Sequence, residues 1–209
     1  MADLLTAREH QEVLAFIGQS LAASGFTRVD SRFISSQENL VRLIEVRMEP
    51  RIDAKPARFF VEMGVFVPAV AQHRGKTVGD SPELAQSTVR IFLARPPSRA
   101  FPEYWLCSAD PANAAEQIRR VICSEGRAWF SRVSNLAAVR AEILATRLRG
   151  RCPEAATICI LLGEPQEGRR LVERELSDQR AARGYRKKLA EWARHAGLLD
   201  SQPFEDKAT

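Results

Sequence analysis

No window of this sequence approaches the roughly 18 uncharged apolar residues of a membrane-spanning helix, so no membrane contact is expected. Cysteine is scarce: Cys107, Cys123, Cys152 and Cys159 are the whole set, and no two form a Cys-x-x-Cys pair. In a chain of 209 residues this excludes a disulfide-stapled mini-domain and predicts reduced, mostly buried thiols. Only three histidines occur, without His-Glu-x-x-His or paired Cys/His spacing, and Gly-x-Ser-x-Gly is missing too. Without those spacings no metal, cofactor or nucleophile elbow is expected. The N-terminal residues have Asp3 where a secretion signal needs a cation, and no apolar run follows. Together these absences predict a cytoplasmic protein.

Charge of one sign is also not in great excess. Lysine and arginine number 31 against 26 acids, for a net charge of +5. Residues 1–110 carry 13 of each sign, so the whole surplus falls in 111–209. A surplus of this size is compatible with an acidic or nucleic-acid partner but does not require one.

What is present falls into two regions. Thr6-x-x-Glu9 forms a capping box, and Val13, Leu14, Ile17 and Leu21 follow at helical spacing, so a first helix is expected over about 7–23. Arg32-Phe33-Ile34 reads as a short strand, Ser35–Asn39 as a turn and 40–48 as a longer strand. In the longer strand Arg42 points the same way as Leu40, Ile44, Val46 and Met48. The strongest strand runs from Arg58 to Val67. Phe59, Val61, Met63, Val65 and Val67 share one face, and Glu62 and Gly64 lie on the other between Phe60 and Phe66. Gly64 marks a bulge or a close backbone approach. Residues 68–86 read as a long polar loop, and 87–94 as another strand. From Asp110 the period becomes helical, with a helix over 111 to about 124 and a second from Asn135 to Gly150. Helices are then expected near 153–162, 165–176 and 182–196, although the β-branched run 157–160 also fits a strand. Residues 155–174 resemble a single tetratricopeptide-type helix pair, in one copy only.

The expected fold is therefore α+β: a mostly antiparallel sheet covered by helices over 1–135, an α-helical extension over 136–198, and a disordered tail over 199–209. A resemblance to a known family supports the first part. Gly25-Phe26 after helix 1, Arg32-Phe33, the 60–68 run ending Gly64-Val65-Phe66-Val67-Pro68, the arginine strand Val89-Arg90-Ile91 and the pair Tyr104-Trp105 resemble the bacterial "domain of unknown function 4304" family over residues 8–135. The resemblance implies an α+β sheet domain and brings no catalytic residue. Its analogy to small bacterial domains that bind proteins, including toxin-neutralising and regulatory ones, points to a protein partner.

Three sets of candidate residues follow. Phe101, Tyr104 and Trp105 lie outside any periodic element and are candidates for a protein-binding surface. Arg119, Arg120, Arg140, Arg147 and Arg151 form a basic stretch able to meet phosphates, with Arg140, Arg147 and Arg151 on one helix face. His73, Arg74, Lys76 and Asp80 sit in the 68–86 loop, where a His–Asp pair could serve an enzyme or a small ligand. Gly75-Lys76-Thr77 does not make a phosphate loop, because Val70 stands where that motif needs glycine. The leading expectation is a non-enzymatic protein-binding domain. Nucleic-acid binding through the arginines and a loop-based enzyme or ligand binder are the alternatives.

Overall fold

One strand organises the first half of the chain. In the computed structural model, which describes residues 7–49, 57–75, 79, 81–93, 105–107, 111–146 and 150–200, β4 (Ala57–Phe66) pairs with three others. The sheet runs β1 (Thr27–Val29), β2 (Arg32–Gln37), β3 (Leu40–Glu49), β4 and β5 (Val89–Phe92), with β6 (Trp105–Cys107) also on β4. Every pairing is antiparallel. Consecutive strands joined by two-residue turns favour this arrangement, and Asp30 and Glu38 take the positive φ those turns need.

The chain divides into two compact units, residues 1–68 with 79–134, and residues 69–78 with 135–209. In the first unit, α1 (Ala7–Ala22) buries Val13, Leu14, Ile17 and Leu21, and the sheet contributes Phe33, Ile44, Val46, Phe59, Val61, Met63 and Val65. A long helix adds Ala114, Ala115, Ile118, Ile122, Trp129 and Phe130. It begins as α3 (Pro111–Val121), widens to a π turn over Ile122–Gly126, and continues as α4 (Arg127–Arg132). A stop near 124 is thus corrected. Gly126 has helical φ, and a Cβ there would lie 2.8 Å from Met63 Sδ. Glycine allows the helix to lie against the sheet here; it does not end the helix.

The other face of β4 is polar. Glu62 is 1% exposed; Arg47 Nη2 reaches it at 2.6 Å and Arg90 Nη1 at 3.2 Å. Glu45, directly opposite Glu62 in the ladder, is bridged by Arg47 Nε at 3.4 Å. Like charges facing across a ladder repel, and Arg47 between them removes that cost.

Four further expectations need correction. Residues 68–86 are not all loop: α2 (Pro68–His73) buries Val70 and Ala71, and a 3-10 turn over Leu84–Gln86 buries Leu84. β2 runs on to Gln37, so the turn is confined to Glu38 and Asn39. Trp105 belongs to a strand, opposite Phe59. Gly64 makes no bulge, because the ladders continue through it on both sides; it marks a close approach by Ser87.

In the second unit α5 (Leu136–Ala145), α6 (Cys152–Leu161), α7 (Pro165–Ser177) and α8 (Arg183–His195) pack around Ala156, Val172, Leu189, Ala193 and Leu198. The 157–160 run is helical. Thr157 and Ile158 are buried along with the rest of α6 from Pro153 to Cys159 and Ile160 is half-buried, and packing overrides their strand preference. Gly168 lets α7 approach α6, since a Cβ there would lie 3.1 Å from the Ala156 carbonyl. Of the tail expected to be disordered, Leu199 packs on this core and Asp200 receives Arg169 at 3.3 Å.

At Gly64 a Cβ would fall 2.1 Å from Ser87 Oγ and 2.9 Å from Leu84 Cδ1. Gly64→Ala is expected to cost about 1–3 kcal/mol in urea denaturation followed by near-ultraviolet circular dichroism. Adding Ser87→Gly should recover part of that loss.

Candidate functional site

The second unit holds a groove of about 500 Å³ between α5, α6 and α7, within the size range of ligand sites. Its walls follow from local sequence. Asn135 Oδ1 caps α5 by accepting from the Ala138 amide at 2.9 Å, which starts a helix whose Val139 and Ile143 are buried and whose Leu144 is 41% exposed. Pro153 in the first turn of α6 suits a helix start. Leu171 of α7 completes an apolar floor with Ile143, Leu144, Cys152 and Ala155. The rim is charged, with Arg151, Arg174, Glu175, Asp178 and Arg180.

Two groups of this unit are held neutral, Cys152 in the groove and Tyr185 on α8. Burial, reinforced by Glu175, pushes the Cys152 thiol up to about 12. Burial and then Glu175 likewise raise the Tyr185 phenol. A thiol held this firmly offers very little thiolate at neutral pH. The buried Glu154 carboxylate takes Arg74 and Arg151 on one oxygen, Arg151 at 3.2 Å. Arg174 forms no ion pair with any of the described residues. The groove thus offers an apolar floor, a mixed-charge rim and one uncommitted cation.

The sequence-derived candidates are scattered. Arg119 and Arg120 lie on α3, both held by Glu116, at 2.6 and 2.7 Å. In the other unit Arg140 donates to Glu164 and to Cys159 Sγ, and Arg151 is on Glu154. The described arginines of the basic stretch are therefore divided between the units and ion-paired, Arg119 and Arg120 to one shared glutamate. His73 is exposed at the end of α2, and Arg74 is committed to Glu154. Trp105 lies in β6, its side chain outside what is described; Phe101, Tyr104, Lys76, Asp80 and Arg147 lie outside the described residues altogether. His10 and His195 are hydrogen-bonded to the Val46 and Glu191 carbonyls. Among the described residues no three His, Cys, Asp or Glu side chains gather as metal ligands, and no helix is long and apolar enough to cross a membrane.

No family model matches this chain, and no curated protein or solved structure matches it either. The resemblance over 8–135 rests on the residues that carry it.

Sequence reasoning missed the groove. Leu144 reads as part of the apolar side of the 135–150 helix and Cys152 as one of the mostly buried thiols, and Arg174 is one arginine among many. The only signal was Leu144 beside Ile143, one more apolar residue than a buried stripe of α5 needs.

Two titrations test these electrostatics. Hydrogen bonds from Arg119 and then Arg120 hold the Glu116 carboxyl at about 2, against an ordinary 4.5. The stability this contributes is present above 4.5 and lost as pH falls through about 2. A carboxyl-detected NMR titration should find that midpoint, and Arg119→Gln should move it back toward 4.5. The Cys152 shift has the opposite sign: the folded chain keeps the proton longer than the unfolded thiol near 9.0, so stability falls as pH rises from there to about 12. Iodoacetamide should alkylate Cys152 far more slowly at pH 8.5 in the folded chain than in urea.

Proposed function

We propose that this chain is a binding protein that receives a segment of another protein in the groove of its helical unit. The observation that carries this reading is the open groove with exposed Leu144, an apolar floor and uncommitted Arg174 at its rim. Concave faces of packed helix pairs suit extended peptides, and a mixed-charge rim suits a backbone flanked by acidic side chains. The neutral Cys152 supports recognition over catalysis. The free thiols of Cys123, Cys152 and Cys159 support a reducing, cytoplasmic place of action. A protein partner is favoured over nucleic acid because Arg119, Arg120, Arg140 and Arg151 are already ion-paired to Glu116, Glu164 and Glu154.

The test is capture by the tagged full chain from its own cell lysate, with and without nuclease, comparing wild type with Leu144→Glu and Arg174→Glu. One stoichiometric protein should survive nuclease. Leu144→Glu should weaken its capture roughly tenfold or more, since a buried leucine contributes about 1.5–3 kcal/mol, while the circular dichroism melt stays unchanged. Equal capture by wild type and both variants, or recovery of nucleic acid in place of a protein, would overturn the reading.

A further inference from the structure

A second site lies in the α+β unit and is independent of the groove. On the face of β3 turned toward the helices, Arg42 occupies a position that Ile44 and Val46 fill with apolar side chains. Its guanidinium carbon sits 5.4 Å from the centre of the Phe130 ring. Its Nε is out of solvent and has no hydrogen-bond partner among the described residues. Other partly buried arginines have oxygen partners: Arg74 and Arg151 share Glu154, Arg119 has Glu116, Arg140 has Glu164, Arg28 donates to Gln11 and the Asp30 carbonyl, and Arg32 donates to the Pro82 carbonyl. Among the described residues Arg42 has only an aromatic face. Burial lowers its pKa, as expected for a cation taken from water without a counter-charge.

Arg42 lines a pocket of about 90 Å³. Leu21, Phe26, Ile44 and Ile122 supply apolar walls, and Arg127, which forms no ion pair with the described residues, stands at the same pocket. The Ile122–Gly126 π turn contributes Ile122 and Cys123 to the wall; π turns recur at functional sites. A water molecule takes about 30 Å³ of the liquid, so the pocket suits a ligand of a few heavy atoms. A guanidinium fork matches the two oxygens of a carboxylate. The apolar walls match a short alkyl chain, which a phosphate lacks.

The geometry points to a binding site for a short-chain aliphatic monocarboxylate, its carboxylate on Arg42 with Arg127 and its alkyl tail against Leu21, Ile44 and Ile122. The pocket thereby gives the α+β unit a small-molecule input distinct from the 68–86 loop.

The experiment titrates the whole ¹⁵N-labelled chain with acetate, propionate, butyrate, hexanoate, inorganic phosphate and neutral butyramide at constant ionic strength, following the arginine Nε–Hε signals. Binding should strengthen from acetate to butyrate and weaken at hexanoate. The Arg42 signal should move with butyrate and stay still with butyramide. Arg42→Met should weaken butyrate binding at least tenfold, and its melting temperature should hold or rise because an uncompensated charge is gone. Should that variant fail to fold, the wild-type Arg42 signal decides. The site is overturned if no acid moves that signal at concentrations well above about 1 mM, where binding worth only about 4 kcal/mol would already show. It is equally overturned if phosphate binds more tightly than every carboxylate, or if butyramide matches butyrate.

Discussion

Close backbone approach at the two faces of β4 is the constraint on which the α+β unit depends. On one face Met63 receives Gly126 of the long helix; on the other Gly64 receives Ser87. A side chain at either glycine would push a covering layer off the sheet. Dense interiors respond to a single methyl group, so these two positions set where the helix and the 84–87 segment can lie. The edge pairings of β5 and β6 then share the remaining side of β4. Glu62 adds a polar anchor between these contacts, tying Arg47 of β3 and Arg90 of β5 to the central strand.

The same crowding explains how an arginine comes to face the helices. Arg42 alternates in register with Ile44 and Val46, so it cannot turn outward without slipping β3 by one residue and exposing those side chains. Phe130 receives its cation in place of a carboxylate. A charge kept in an apolar layer without a counter-ion is costly, and a bound anion would remove that cost. The helical unit solves its charge problem differently. There Glu154 and Glu164 take Arg74, Arg151 and Arg140, while Arg174 at the groove forms no ion pair with the described residues.

Much of the fold was legible because period and burial agree in α1, β3 and β4. Alternation placed Phe59, Val61, Met63 and Val65 on one face and Glu62 on the other, and the structure has them so. Legibility failed where one residue type serves two purposes. Gly126 reads as a helix stop but accommodates Met63, so α4 was missed. Pro68 reads as a loop start but opens α2. β6 is too short to show a period at all. For the sites, composition drew attention to clustered arginines, whereas what matters is which arginine lacks a partner. That depends on glutamates up to 80 residues away, as with Arg74 and Glu154.

By itself the sequence determined the α+β class with its helical C-terminal region and the faces of the main strands, Arg42 on the same face as Ile44 and Val46, because these follow from local period and chain order. Only the tertiary structure decided that Arg119, Arg120, Arg140 and Arg151 are ion-paired, that Gly126 continues a helix, and that Arg42 and Arg174 meet no carboxylate among the described residues beside a pocket and a groove. Ion pairing and close packing join residues distant in the chain, and no local pattern records which partner each will meet.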